Sequence, residues 1–441
     1  MVIILLSGES GKRLWPLSNG VRSKQFIKCL KKEDGGYESM IQRTRRQINQ
    51  VLPQAHITVV TSRSQASAVI NQLGDEVDIC AEPFHKDSFS AVSLAVSYLS
   101  DIRGMDGEEC VAVCPADTFA SQEYFALLQK MECSLHDKSA DLCLTAITPT
   151  YPSGKYGYLF CDLTEKENNM KTLTGYIDRP QEKEAEKLIK EGALWNGGIF
   201  AAKLDFWKQM IAQKRGVCDF EELYAGYGTW AELSFENEII QSAKQCAVFL
   251  YEGDWRTLGT WNTLTEAMED PNVGNALFDD SCKNVHVVNE LDVPVLCMGL
   301  CDVVISASPE GILVSDKTHS SYIGPYVEQI DQRIMFADKS WGSYRVLDAE
   351  DEAMTIKVTL NPGHSMNYHS HERRDEVWTI ISGRGRTIVD GMEQPVRAGD
   401  VITMEAGCRH TIIADTELHM IEVQLGREIS VHDKKKYELE I

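Results

Sequence analysis

The sequence has no apolar run approaching the ~20 residues that a helical membrane span requires, which excludes an ordinary transmembrane helix. The apolar opening, Val2 to Leu6, has no basic stretch before it and no small-residue cleavage site after it. It reads as a buried strand and not as a secretory leader. Positive charge is scarce: 44 Lys and Arg stand against 66 Asp and Glu, for a formal net charge of -22. That balance argues against an electrostatic nucleic-acid binder and against docking on an anionic membrane surface. It does not exclude a nucleotide ligand, because local cations or a bound metal can override the overall field. Paired cysteines are missing too: the 13 cysteines are scattered, without a CxxC, and Cys297 and Cys301 come nearest to ligand spacing. Scattered buried or surface thiols are a plainer reading of this usage than a zinc site, and it fits a reducing, cytoplasmic setting. There is no low-complexity tract and no internal repeat.

What is present is an ordinary globular composition, 43% hydrophobic and 25% charged over 441 residues. At ~100–200 residues per domain, that length predicts two or three domains. Short apolar runs at 2–6, 57–61, 111–114 and 142–147 read as buried strands, and 39–51 and 88–99 carry helical periodicity. Their alternation predicts an α/β, Rossmann-like domain with helices on both faces of a mostly parallel sheet to about residue 200, mixed towards 270. The turn-rich stretch 270–275 marks a boundary. β-rich pieces at 285–288, 303–306 and 312–314 predict a short β connector. From about 340, Gly and Pro punctuate short strands, the pattern of a sandwich or barrel. The expected layout is 1–270, 271–338 and 339–441.

Directly after the first strand runs Leu6-Ser7-Gly8-Glu9-Ser10-Gly11-Lys12-Arg13-Leu14-Trp15-Pro16-Leu17-Ser18, and Ser23-Lys24-Gln25-Phe26 follows. Gly8 and Gly11 permit a tight turn and close backbone approach, while the hydroxyls and cations suit a triphosphate. Glycine spacing alone more often means a plain strand–helix turn, and the string is neither GxGxxG nor a Walker A loop.

Taken whole, it resembles the mannose-1-phosphate guanylyltransferase family, whose pattern is G-G-x-G-T-R-L-W-P-L-S followed by P-K-Q-F. More matches follow in order. Cys114-Pro115-Ala116-Asp117 resembles P-x-D, and Lys155-Tyr156-Gly157-Tyr158 resembles G-Y-G-Y. Tyr176-Ile177-Asp178-Arg179-Pro180 resembles F-V-E-K-P, with Arg for Lys, and Leu194-Trp195-Asn196-Gly197-Gly198-Ile199-Phe200 resembles L-W-N-S-G-M-F. The resemblance implies a sugar-1-phosphate nucleotidyltransferase in 1–270, with GTP and mannose 1-phosphate as substrates and Mg²⁺ as cofactor. It assigns nucleotide contact to Ser7, Gly8, Gly11, Lys12, Arg13 and Glu82. Sugar phosphate falls to Gly157, Tyr158, Arg179 and Asn196, and Mg²⁺ to Asp117. Catalysis falls to Arg13, Lys24, Asp117 and Arg179, in a direct displacement that expels pyrophosphate.

Two departures stand out. In Trp255-Arg256-Thr257-Leu258-Gly259-Thr260-Trp261, Thr257 replaces the family's second metal aspartate, a poorer ligand for Mg²⁺; nearby Asp254 is a candidate substitute. Glu82-Pro83-Phe84-His85-Lys86-Asp87-Ser88-Phe89-Ser90 departs from E-P-x-G-R-N-T-A-P, which keeps CTP, UTP and other triphosphates open.

The C-terminal part can be argued from spacing. Gly363 is followed after five residues by His369-Ser370-His371, then Glu376 and Gly383; Gly399 is followed by Glu405-Ala406-Gly407 and His410. This is the two-block cupin pattern, with Glu405 for its proline and Ala414 for its final asparagine. Residues i and i+2 of a strand share a face, so His369 and His371 can point together into a barrel, where Glu376 and His410 complete three imidazoles and one carboxylate. That donor set suits Zn²⁺, Mn²⁺, Fe²⁺, Co²⁺ or Ni²⁺. A lone HxH is more often two plain strand histidines; His364 and His419 fall outside the pattern. The flanks (Trp341-Gly342-Ser343-Tyr344, Arg374-Asp375-Glu376-Val377-Trp378, Ile421-Glu422-Val423-Gln424-Leu425-Gly426) resemble the isomerase half of the bifunctional, type II mannose-6-phosphate isomerase proteins, which usually have Gln where His369 stands. The resemblance implies a cupin β-barrel interconverting fructose 6-phosphate and mannose 6-phosphate, with Lys357 and Arg374 near the ligand. By the same analogy the β connector suits a homodimer. Two other readings stay open: a nucleotidyltransferase for another nucleotide and sugar with a structural cupin, and a non-catalytic nucleotide or sugar-phosphate sensor.

Overall fold

A computed structural model describes residues 1–8, 12–162, 170–330, 334–427, 429 and 433–438. The chain divides into two compact units, one made of Met1–Leu14 and Ser23–Asp270, the other of Trp15–Arg22 and Pro271–Ile441. Among the described residues no helix is long and apolar enough to cross a membrane.

The first unit is built on nine strands in the order Asp78–Glu82, His56–Ser62, Val2–Leu6, Cys110–Pro115, Leu194–Lys203, Leu142–Ile147, Cys246–Tyr251, Met170–Ile177 and Tyr158–Cys161. The first four are parallel, whereas Leu194–Lys203 runs antiparallel to both neighbours, so the sheet is mixed from there on. The inner strands are apolar throughout because both faces are covered. Ile3 and Leu5 face a core with Ile41 and Ile48 of the helix Met40–Val51 and Leu128 of Gln122–His136. Val2 and Ile4 face the opposite core, with Leu94 of the helix Ser88–Ser97 and Trp207 of Leu204–Arg215. Helix starts follow local rules: Ser39 and Gln42 form a reciprocal capping box, and Asp87 accepts from the Ser90 amide.

In the second unit, Asn272–Val273, His286–Asn289 and Val303–Ser308 pair in parallel, and Ala276–Phe278 pairs in parallel with Val295–Cys297. The connector is therefore a stack of short parallel strands, closed by the antiparallel Gly311–Asp316. The segment Trp15–Arg22 belongs to this unit. Arg22 donates to both oxygens of Glu290, each at 2.7 Å, and Ser308 Oγ donates to the Pro16 carbonyl at 2.9 Å. The N-terminal motif is thus divided, its Trp-Pro-Leu-Ser half being packing. The cupin follows as sheets of six and five strands, with Trp378, Ile380, Ile412, Met420 and Leu360 buried among their side chains.

Trp207 is fully buried, donates from Nε1 to the Val111 carbonyl at 3.2 Å, and stacks on Phe235 with a ring separation of 5.9 Å. Trp207→Ala is expected to cost about 3–5 kcal/mol in denaturant unfolding, and to loosen Phe235, which lines the cavity described next. A change below about 1 kcal/mol would show that the site collapses without penalty.

Candidate active site and metal centre

Parallel pairing sets Leu6 beside Pro115, so the chain leaves the sheet there as Ser7-Gly8 and Ala116-Asp117, side by side. Open α/β sheets bind ligands at such carboxyl ends. A cavity of about 460 Å³ lies here, lined by Ser7, Gly8, Lys24, Glu82, Asp117 and Arg179 among others. Gln25 Nε2 donates to the Ser7 carbonyl at 2.8 Å and to its hydroxyl at 3.0 Å, fixing the loop start. Lys24, only 6% exposed, donates from Nζ to Asp117 Oδ2 at 2.6 Å. One buried ammonium thus meets the one carboxylate expected to hold Mg²⁺.

Glu82 is buried at the cavity wall. The Tyr227 hydroxyl donates to its Oε1 at 2.5 Å. Its Oε2 packs against Gly8, where a Cβ would lie only 2.7 Å away. Burial pushes the Glu82 carboxyl up to about 7, while the tyrosine bond works in the other direction. Arg179, in the left-handed region at φ 41° and 64% exposed on its side chain, reaches the opposite wall. Beside it Asp178 accepts from Tyr176 Oη at 3.0 Å and from Ser234 Oγ at 3.2 Å. Glu236 lines the same wall, its carboxyl raised chiefly by burial.

Several expectations land elsewhere. Gly11 lies outside the described residues. Lys12 and Arg13 stand exposed on the single turn Lys12–Leu14 and are not among the residues lining the cavity. Tyr158 is corrected from sugar contact to core: it is fully buried, its hydroxyl donating to the Ser153 carbonyl and accepting from the Ser153 amide, each at 3.0 Å. Gly157 makes room for Tyr176, whose Cε2 would lie 2.6 Å from a Cβ there. Asn196 is a positioning residue: its Oδ1 accepts from the Gly198 amide at 3.0 Å, holding the turn whose Gly198 lines the cavity. Thr257 pairs with Thr118, next to Asp117, and the Leu258 amide donates to the Asp117 carbonyl at 3.1 Å. Asp254 is 59% exposed, paired with Arg256 at 2.7 Å, and not among the residues lining the cavity. Sequence reasoning passed over Asp178, Tyr227, Ser234 and Glu236. Only Asp178 had a signal, standing where the family pattern carries Glu.

In the second unit His369, His371, Glu376 and His410 bring one ligand atom each within 4.8 Å of one another, all buried. The Nδ1 atoms of His369, His371 and His410 lie 2.6, 2.9 and 3.0 Å from the carbonyls of Asn367, Asp433 and Cys408. Such bonds leave Nε2 facing the cluster. Glu376 lies 3.1 Å from His371 Nε2 and 3.2 Å from His410 Nε2. Glu376 Oε2 and His410 Nε2 are both buried and lie 3.2 Å apart, close enough to share one cation. Burial first, then neighbouring cations, lowers His369 to about 2, and burial lowers His371 to about 4, so both are in the neutral form that ligates. Although burial opposes it, the contact with His410 and the Arg374 guanidinium hold Glu376 down at about 2. This donor set fits a divalent transition metal. Arg374 donates from Nε to Glu376 Oε1 at 2.9 Å and sits 2.9 Å from His371 Nε2. Lys357 is corrected: it is exposed on Ala353–Leu360, whose alternate residues Ile356, Val358 and Leu360 are buried, so it faces away from the cluster.

Two outcomes follow. The native state holds the Glu82 proton more tightly than the unfolded chain does, so this group's contribution falls as pH rises from about 4.5 to about 7. Melting curves across that window should fall less for Glu82→Gln than for the parent; equal slopes would contradict the assignment. His410→Ala should lower metal retention after dialysis by on the order of tenfold or more, read by elemental analysis, and unchanged retention would place the metal elsewhere.

The chain matches the nucleotidyl transferase family model over residues 2–272 and a cupin domain model over 356–424. It is 22% identical to a mannose-1-phosphate guanylyltransferase of Escherichia coli (strain K12), over 98% of this chain and 97% of that one. To the alginate biosynthesis protein AlgA of Pseudomonas putida it is 23% identical, over 99% and 96% of the two chains. A solved structure of mannose-1-phosphate geranyltransferase from Thermus thermophilus shares the fold, with a TM-score of 0.60 at 24% identity over 74% of this chain and 98% of that one. The chain therefore belongs to the nucleotidyl transferase family and is an enzyme of that family, with a cupin domain following in the same polypeptide.

Proposed function

We propose that the first unit transfers a guanylyl group from GTP to mannose 1-phosphate, releasing GDP-mannose and pyrophosphate, and that the cupin interconverts fructose 6-phosphate and mannose 6-phosphate. The observation that carries the first half is the convergence of the Lys24–Asp117 pair, Arg179 and Glu82 on one cavity. A phosphate oxygen of the sugar 1-phosphate attacks the α-phosphorus, the bond to the β-phosphate oxygen breaks, and no covalent enzyme intermediate is needed. The protein's part is positioning and charge. Lys24 braces the reacting phosphates and Arg179 the sugar phosphate. Arg13, exposed beside the loop, is assigned to the outer phosphates. Asp117 would hold a Mg²⁺ ion, which would supply neutralisation of phosphate charge; one or two carboxylates plus substrate phosphates are the usual setting for that ion.

Glu82, with one oxygen held by Tyr227, places a carboxyl at the cavity wall that can accept from an N–H donor of a base, such as guanine carries at N1 or N2. Likeness over nearly the whole chain to proteins named for mannose-1-phosphate guanylyl transfer and alginate biosynthesis supports mannose and a role in polysaccharide precursor supply. His85, Lys86 and Asp87, which depart from the family pattern, also line the cavity and favour a second reading, another nucleotide in the same reaction.

For the cupin, the metal cluster with Arg374 against it supports the isomerase. A divalent ion there supplies Lewis-acid polarisation of sugar oxygens. A separate mutase must move phosphate between the 6- and 1-positions for the two reactions to connect.

The test is pyrophosphate release with Mg²⁺ across GTP, CTP, UTP, ATP and dTTP, each with mannose 1-phosphate and other sugar 1-phosphates. Fastest turnover with GTP and mannose 1-phosphate is expected; a different best pair would replace the substrates, and none would remove the reaction. Arg179→Ala should raise KM for the sugar phosphate by about tenfold or more, the loss of a charge-assisted contact, with KM for GTP little changed. Asp117→Asn should lower kcat by on the order of a hundredfold.

A further inference from the structure

The strand Lys434–Lys436 forms an edge of the five-stranded cupin sheet, beside His369–His371. The register sets Lys436 opposite His369, Lys435 opposite Ser370 and Lys434 opposite His371. Directly opposed residues of an antiparallel pair project from one face, with Cβ atoms about 4.5–5.5 Å apart. Lys434 and Lys436 therefore share the face from which two cluster imidazoles project, and Lys435 lies on the other face.

The strand is pinned there. The Asp433 carbonyl lies 2.9 Å from His371 Nδ1, and its carboxylate accepts from the Glu372 and Arg373 amides, both at 3.1 Å. The Tyr437 amide donates to the Tyr368 carbonyl at 2.9 Å. Buried Arg374 adds a third cation beside the cluster.

All three lysines are exposed along the strand, so the two that share the cluster's face are open to an incoming ligand. Glu376 belongs to the metal set, and Glu422 is buried and bonded by Gln424 Nε2 at 2.5 Å. A dianion placed among Arg374, Lys434 and Lys436 would relieve their repulsion and gain several charge-assisted hydrogen bonds.

We propose that Lys434 and Lys436, together with Arg374, form a phosphate seat in the cupin, so that the barrel takes a phosphomonoester of a small sugar with its oxygen-bearing end toward His369, His371, Glu376 and His410. The seat supplies the phosphate contact that outward-facing Lys357 cannot. It rests on the isomerase reading only for the identity of the sugar.

The test uses the full-length, Mn²⁺-loaded protein and calorimetric titration with fructose 6-phosphate, fructose and inorganic phosphate. Fructose 6-phosphate should bind, inorganic phosphate should compete, and fructose should bind at least about tenfold more weakly. Lys434→Gln/Lys436→Gln should weaken fructose 6-phosphate binding about tenfold or more, with metal content and pyrophosphate release unchanged. Lys435→Gln should bind as the parent does. Equal binding by the parent and the double variant, equal binding of fructose, or no binding overturns the seat. A second measurement needs no variant: inorganic phosphate should slow acetylation of Lys434 and Lys436, read by peptide mass, and leave Lys435 unchanged; uniform labelling overturns the proposal. Lysine-dependent binding without fructose–mannose interconversion keeps the seat and removes the isomerase reading. Interconversion that survives the double variant does the reverse.

Discussion

The side-by-side parallel pairing of Val2–Leu6 with Cys110–Pro115 is the constraint on which the cavity at the carboxyl edge of the sheet depends. Two strands buried on both faces admit little choice of register, because each residue is committed to one of two cores. With Leu6 beside Pro115, the loops that leave the sheet carry Ser7-Gly8 and Asp117 to the same edge. Everything polar that follows is arranged on that edge. Gln25 fastens the first loop, Lys24 bridges to the second, and Tyr227 holds Glu82 against Gly8. None of these bonds is strong by itself. Their effect comes from being made on a frame that cannot slide.

The cupin solves a similar problem with a different period. Alternation along one strand puts His369 and His371 on one face, and antiparallel register puts His410 beside His369. Carbonyl acceptors for each Nδ1 then orient the rings, and burial keeps His369 and His371 uncharged. Ligand geometry here follows from strand register and from the shortage of water around the rings. The same register carries Lys434 and Lys436 to the cluster's rim.

Both sites sit in a protein with a formal net charge of -22. Few cations line the two sites, and each is placed by structure: Lys24 is buried against a carboxylate, Arg179 stands at positive φ, and Arg374 is locked to Glu376. Local placement outweighs the global field because these groups act within a few ångströms, where desolvation and screening favour near neighbours over distant charge.

Much of this was legible in the chain alone. Strand positions, the connector's β pieces, the HxH and its two partners, and the Lys24 and Asp117 motifs all depend on local spacing, and local spacing is what a linear sequence records. Even Lys357's outward aspect was readable, since Ile356, Val358 and Leu360 alternate around it. What needed the tertiary structure was every contact between distant segments. Tyr227 lies 145 residues from Glu82, and no periodicity links them. Ser234 and Glu236 reach the cavity wall because a helix packs through Phe235 onto Trp207. Tyr158 turns into the core because its hydroxyl finds Ser153, and Trp15–Arg22 joins the connector because Arg22 finds Glu290. Sequence determined which residues could carry the chemistry, through periodicity and motif; only packing and register decided which of them meet, because proximity across the fold is a property of the buried core and not of neighbouring letters.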